Sequence, residues 1–320
     1  MTASNIDYSV LKSEVAAFLK EQHSMPRIPM EQVTPAQYRA AVNSSLTKSL
    51  INHYPIGQVT DHSINTSVGK TLLRAYTPQI TGKLALLVYY HGGGWVAGSV
   101  ESHDNICRLI AQKSHCIVVS VDYALAPECK YPAVVQQCYE ALQWVQRHAK
   151  QLGGDEQRIA VAGDSAGGTL ATVMTLLARD RQQAWPIIYQ ALICPVTNLA
   201  EFNTVSYTAF AEYDFLHDKI RWFRKHYLNS LVESTEPYAS PLLAKNLTGL
   251  PAALVVTGNF DVLRDEGLQY AERLQSARVP TRYYCMQGMV HSGAFWMLGS
   301  SALAEEIDYV CREIKIYLNS

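Results

Sequence analysis

A serine, a histidine and an aspartate that can work together on acyl bonds occur in this chain in settings that bring them toward one place. The serine is Ser165, within Gly163-Asp164-Ser165-Ala166-Gly167, and Gly168 extends the run. The apolar stretch Ile159-Ala160-Val161-Ala162 leads into it, and a segment of helical character from Thr169 leads away. A serine in a sharp strand-to-helix turn is lifted clear of the sheet, where its hydroxyl can meet a substrate. Flanking glycines keep Cβ atoms out of that crowded turn. GxSxG also arises by chance or as a plain loop, so the weight of the reading falls on its partners.

A serine hydroxyl is a poor nucleophile until a base takes its proton, and the base needs a third group to hold its tautomer. In a strand-turn-helix setting of this kind the partners follow in the order serine, acid, histidine. Of the ten histidines only His217, His226 and His291 come after Ser165. The first two fall in an insertion before the next sheet strand. His291 lies in the polar, glycine-bearing turn Gln287-Gly-Met-Val-His291-Ser-Gly and is selected as base. Asn259-Phe260-Asp261 directly follows the strand-like run that ends at Thr257-Gly258, and Asp261 is the preferred acid. Asp265 and Glu266 are nearby alternatives that fit better in the first turn of the next helix, where its dipole favours negative charge. Acyl transfer also needs donors for an oxyanion. Ala166, after the nucleophile, offers one N–H, and His91-Gly92-Gly93-Gly94-Trp95 offers an unobstructed glycine backbone. That loop lacks the GKS/GKT ending of a phosphate cradle and the GxGxxG of a dinucleotide site.

The elements that must position these groups alternate. Leu84–Tyr90 is a continuous apolar run that delivers the chain into the glycine loop, as expected of a parallel strand covered on both faces. A helix around 103 to 113, the strand Ile117–Val121, a helix from Pro132 to about 150 and the strand into Ser165 follow. After the serine helix come the strand Ile187–Cys194, the strand Ala252–Thr257, a helix about 265 to 277, the strand Thr281–Cys285 and a final helix over most of 294 to 318. This predicts an α/β fold with a mostly parallel, doubly wound sheet and ligands at the carboxyl ends of its strands. Residues 58 to 76 read as edge strands, and the first fifty or so as helices: Leu11, Val15 and Phe18 share a face, and Thr34-Pro35 reads as an N-cap with proline at the first helical position. Residues 202 to 227 interrupt the alternation with Phe202, Tyr207, Phe210, Tyr213, Phe215, Trp222, Phe223 and Tyr227. Such a cluster suits a lid over an apolar pocket, with a satellite helical core as the alternative.

The 320 residues are 48% apolar and 17% charged, an ordinary globular composition. With 27 basic and 28 acidic residues the net charge is -1, so no global basic field exists to hold nucleic acid or an anionic membrane. The seven cysteines form an odd set with no CxxC pair, which argues against a disulfide framework or a zinc knuckle. The start lacks the features of a signal peptide, and no apolar run reaches the roughly 18 residues of a membrane helix, so no membrane insertion and a cytoplasmic location are expected.

Together, His91-Gly-Gly-Gly-Trp95, Asp122-Tyr-Ala-Leu-Ala-Pro-Glu128, Gly163-Asp-Ser-Ala-Gly-Gly168, Tyr238-Ala-Ser-Pro-Leu242, Asp261-Val-Leu-Arg-Asp-Glu-Gly267 and Gly288-Met-Val-His291 resemble the hormone-sensitive-lipase-like (family IV) bacterial carboxylesterases of the α/β-hydrolase superfamily. The resemblance runs from about Leu84 to Phe295. It implies Ser165, Asp261 and His291 as a triad, with Gly93, Gly94 and Ala166 as oxyanion donors and Gly92 grouped with them to complete the turn. It implies a catalytic core over 51–197 and 236–320, and a cap made of 1–50 and the insertion 198–235. It further implies hydrolysis of small to medium acyl esters without metal or organic cofactor, and homodimer formation through Thr281–Met286. The departures are Val262 where proline follows the acid, Ala124 where the family carries arginine, and His291-Ser292-Gly293-Ala294-Phe295 where histidine, glycine, phenylalanine is usual. An amide or carbamate hydrolase, or a noncatalytic small-molecule receptor on the same scaffold, are the competing functions; the intact His291 argues against the receptor.

Overall fold

The computed structural model describes residues 6–26, 28–49, 54–213, 216–293, 300 and 303–319. Eight strands form one sheet: Gln58–Thr66 (β1), Gly69–Thr77 (β2), Leu84–Tyr90 (β3), Ile117–Asp122 (β4), Gly154–Asp164 (β5), Ile187–Ile193 (β6), Ala252–Gly258 (β7) and Thr281–Met286 (β8). Their order is β1-β2-β4-β3-β5-β6-β7-β8. The β1/β2 and β2/β4 pairs are antiparallel and the rest are parallel. The segment read as edge strands is therefore half corrected. β1 is an edge, but β2 lies between β1 and β4, and its residues Leu73 and Tyr76 are fully buried.

Helices Asp104–Ser114 (α3), Ala133–Arg147 (α4), Ala166–Asp180 (α5), Arg264–Ser276 (α8) and Ala304–Asn319 (α9) flank the sheet. β3 explains how two cores arise from one strand. Its Leu84, Leu86, Val88 and Tyr90 join the core beneath α4, α5 and α8, whereas Ala85, Leu87 and Tyr89 join the one beneath α3 and α9. This period of two sends alternate side chains to opposite faces, so a strand covered on both sides has no polar positions. Residues 294–299, 301 and 302, assigned from sequence to the last helix, lie outside the described residues.

Four helices stand apart from this layering: Ser13–Ser24 (α1), Pro35–Ser49 (α2), Val205–Ala209 (α6) and Leu216–Tyr227 (α7). α2 begins where expected. Thr34 Oγ1 accepts the Gln37 N–H (3.3 Å) while Gln37 Oε1 accepts the Thr34 N–H (2.9 Å), a reciprocal pair that satisfies two orphan donors at the helix start. No helix among the described residues is long and apolar enough to cross a membrane.

Candidate active site

Ser165 stands between β5 and α5 with φ 54 and ψ −120, a backbone conformation that L-residues rarely adopt. The turn survives because its neighbours allow close approach: a Cβ on Gly167 would collide with the Tyr90 carbonyl at the end of β3. The Ser165 N–H is anchored to the Ile193 carbonyl (2.8 Å), and α5 is drawn in by Thr169 Oγ1 on the Val196 carbonyl (2.6 Å).

His291 Nε2 lies 2.9 Å from Ser165 Oγ, and His291 Nδ1 lies 2.9 Å from Asp261 Oδ2. Asp261 is fully buried and its other oxygen accepts the Leu263 N–H (2.8 Å), so the carboxylate has little freedom to turn. The structure thus brings together the serine, histidine and acid selected from sequence. The alternative acids are engaged elsewhere. Asp265 accepts the Ser206 N–H (2.8 Å), and Glu266 accepts those of Thr197 (2.6 Å) and Asn198 (3.2 Å). Burial pushes the Glu266 carboxyl up to about 8. His217 pairs with Asp218 and His226 with the Trp222 carbonyl, both within α7.

The glycine loop divides. Gly93 and Gly94, at φ +118 and +63, line the same cleft as Ser165 and His291. The Gly93 carbonyl accepts from Val96 N–H (3.2 Å) and Ala97 N–H (3.0 Å), which ties the loop into a tight turn that only a glycine fits. Gly92 departs from its sequence grouping with the oxyanion donors, because its N–H is committed to Asp164 Oδ1 (2.9 Å). It holds the loop rather than facing the cleft. Ala166 opens α5, so its N–H has no carbonyl one turn earlier to bond within the helix.

Asp164 is the site residue that sequence reasoning missed. Its Oδ1 accepts from Tyr89 Oη (2.7 Å) as well as Gly92, and His103 Nε2 lies 3.4 Å away. Burial works to raise its pKa, but the His103 charge and the hydrogen bonds from His103 and Tyr89 hold it below the ordinary value. His91, the first residue of the glycine loop, is fully buried and stacked on Tyr123 at 4.1 Å. Burial, then His103, drives its pKa down to about 3, so the ring is neutral and structural.

The cleft above Ser165 has a volume of about 210 Å³. Among the described residues its walls come from α1 (Phe18, Leu19, Gln22), α2 (Tyr38), the segment before α7 (Tyr213), α7 (Leu216, Lys219, Phe223) and the His291 turn (Val290, Gly293). Phe223 packs against Gly94, and Tyr38 meets both Trp222 and Phe223 at 5.4 Å. The aromatic insertion accordingly splits. Tyr213 and Phe223 line the cleft, Phe223 from within the core, whereas Tyr207 and Tyr227 are buried in that core away from the cleft, Tyr227 stacked on Trp95 at 4.3 Å. Phe215 lies outside the described residues, as do Ala294 and Phe295.

This strained serine turn on a mostly parallel sheet, with a histidine and an acid after later strands, is the arrangement of an α/β hydrolase. A family model described as "alpha/beta hydrolase fold" matches residues 87–296. The chain is 33% identical over 299 residues to an arylesterase of Saccharolobus solfataricus, covering 93% of this chain and 95% of that protein. It is 42% identical over 238 residues to a carboxylesterase of Mycobacterium tuberculosis, covering 73% of this chain and 74% of that one. Among solved structures, a thermophilic carboxylesterase cloned from a metagenomic library superposes with a TM-score of 0.85 at 40% identity, covering 89% of this chain and 98% of that one. The chain belongs to the α/β-hydrolase family, in its hormone-sensitive-lipase-like branch.

Proposed function

We propose that the chain hydrolyses small to medium carboxylic esters through Ser165 as nucleophile, His291 as base and Asp261 as its orienting acid. As a family member with relatives named arylesterase and carboxylesterase, it is a carboxylic ester hydrolase. The observation that carries the finer reading is the pair of 2.9 Å hydrogen bonds that runs from buried Asp261 through His291 to a serine at the floor of the cleft. With Nδ1–H donated to Asp261, Nε2 is left with its lone pair toward Ser165 Oγ. Ser165 Oγ attacks the ester carbonyl carbon as its proton passes to His291 Nε2. The carbonyl oxygen becomes an oxyanion, received by the N–H groups of Gly93, Gly94 and Ala166. Collapse expels the alcohol oxygen, which takes the proton from His291, and leaves an acyl group on Ser165. Water then gives a proton to His291 and attacks the acyl carbon, releasing the acid and returning the proton to Ser165.

The N-terminal helices in 1–50 and the insertion 198–235 form the cap in this reading, closing over a core of 51–197 and 236–320. The cleft of about 210 Å³ is smaller than the roughly 300–1,000 Å³ of pockets for drug-sized ligands, which supports short acyl groups. Among the described residues β8 pairs with β7 alone and ends the sheet, so a homodimer through this edge belongs to the same proposal. A cytoplasmic site of action is proposed with it, supported by seven cysteines that stand as free thiols.

Hydrolysis of aryl esters from acetyl to palmitoyl tests the substrate class. Highest kcat/KM at short chains is expected; a continuous rise to palmitoyl with activation at a lipid interface would overturn it in favour of a lipase.

A further inference from the structure

Beneath the Asp261–His291 pair lies a thiol that the mechanism above does not use. Cys194 directly follows β6, is fully buried, and holds φ +46. Its N–H is bonded to the Val256 carbonyl of β7 (2.7 Å), and its Sγ accepts the Ser292 N–H at 3.4 Å. Ser292 is the residue after His291, is itself fully buried, and holds φ +50. Two non-glycine residues in the left-handed region thus meet through an N–H···S bond, one at the end of β6 and the other in the histidine turn. Cys194 Sγ, a carboxylate oxygen of Asp261 and a ring nitrogen of His291 all lie within 4.8 Å of one another.

We propose that Cys194 is a positioning residue for the acid–base pair: its sulfur fixes the turn that carries His291 by accepting from Ser292, and its S–H faces the Asp261 carboxylate. The inference rests on the reading of Ser165, His291 and Asp261 as a triad. Burial and then the charge of Asp261 push the thiol pKa well above its ordinary value, so the group remains S–H and brings no second negative charge beneath the pair. A protonated thiol is a weak donor and a weak acceptor, which suits a group that steadies a carboxylate without neutralising it. Among the described residues, His291 is bonded to the Asp261 carboxylate, and Glu266, fully buried on α8, also feels its charge. Cys194 is absent from the described walls of the cleft, which separates it from the substrate and from a nucleophilic role.

The test compares Cys194→Ala and Cys194→Ser with the wild-type protein and with Ser165→Ala in aryl acetate hydrolysis. Cys194→Ala is expected to lower kcat on the order of tenfold, the worth of about one hydrogen bond to a charged group, with KM nearly unchanged. It is also expected to move the acidic limb of the kcat/KM profile upward, because Asp261 without its donor holds the imidazolium more strongly. Cys194→Ser, which keeps a donor and an acceptor, is expected to recover most of the loss. A Cys194→Ala protein with wild-type kcat and an unmoved acidic limb would overturn the inference. Equal losses in both variants with an unmoved limb would also overturn it and leave only packing. Should the alanine protein fail to fold, the downfield proton resonance of the His291–Asp261 hydrogen bond in Cys194→Val, which fills the space without a donor, decides: a shift supports the role, and an unmoved resonance overturns it. If Ser165→Ala keeps wild-type turnover, the triad reading itself fails. If Ser165→Ala is inactive while Cys194→Ala behaves as wild type, only the positioning role fails.

Discussion

Ser165 and Phe223 line the same cleft, and they are held there by different means. The floor is built from turns at the ends of β3, β5, β7 and β8, where backbone groups are tied at short distances: Ser165 N–H to Ile193, Gly92 N–H to Asp164, Asp261 Oδ1 to Leu263. The roof is assembled from α1, α2 and α7, pieces drawn from both sides of the sheet in sequence. It is joined largely by ring contacts such as Tyr38 with Trp222 and Phe223, and by single bonds such as Trp222 Nε1 to the Val33 carbonyl (3.1 Å). Arg39 of α2 fastens the roof to the core, donating to the carbonyls of Val96 (2.7 Å) and Ala126 (2.8 Å). Hydrogen-bonded turns fix atoms to a few tenths of an ångström, as chemistry requires, whereas apolar ring contacts tolerate changes of shape. On the proposed function, the difference puts reactivity in the floor and substrate choice in the roof.

This division can be broken from either side. Asp164→Asn removes the carboxylate that receives Gly92 and Tyr89, and is expected to loosen the glycine loop. Because one oxyanion donor contributes roughly 100-fold or more, kcat should fall by about that factor with KM little changed in steady-state assays. Unchanged kcat would show that Asp164 does not support the loop. Phe223→Ala acts on the roof. Removing a ring that lies on Gly94 and Tyr38 should lower kcat/KM for acetyl esters by about tenfold and shift the optimum toward longer acyl groups, a specificity change of the size expected for one altered pocket contact. An unaltered chain-length profile would remove Phe223 from the selection of substrate.

The smallest effect expected concerns stability. Glu266 has its pKa raised in the folded protein from 4.5 to about 8, so the folded state binds the proton more tightly than the unfolded chain. Its contribution is fully present below 4.5 and is lost as the pH rises through about 8. Glu266→Gln, neutral at every pH, should reduce the fall in Tm across that window by a few degrees in calorimetry. Equal slopes for variant and wild type would mean that Glu266 is ionised in the fold.

The same contrast explains what could be read in the chain before its structure. Ser165, His291 and Asp261 were legible because each sits in a short motif at a strand end, and the order of those motifs restricts which can meet. Asp164 was not, although it adjoins Ser165. Its role comes from the parallel pairing of β3 with β5, Tyr90 opposite Gly163, which sets the Gly92 N–H against its carboxylate. No local pattern reports that register, and for the same reason Gly92 was grouped with the wrong partners. β2 alternates like an edge strand, yet its interior place depends on antiparallel pairing with β4, a contact across more than forty residues. In the roof, composition announced aromatic clustering but not its direction. Tyr227 and Phe223 lie four residues apart on one helix and are both buried in the core, yet Phe223 also lines the cleft and Tyr227 does not. Cys194 is in sequence only the last residue of the apolar strand Ile187–Cys194; its place beneath Asp261 follows from where β6 and β7 end.

The central claim is that Ser165 carries the reaction, and Ser165→Ala tests it most directly. Turnover of an aryl acetate at saturation should fall by roughly 10⁴ to 10⁶-fold with the circular dichroism spectrum and Tm retained. A folded Ser165→Ala protein that hydrolyses the ester at the wild-type rate would contradict the account.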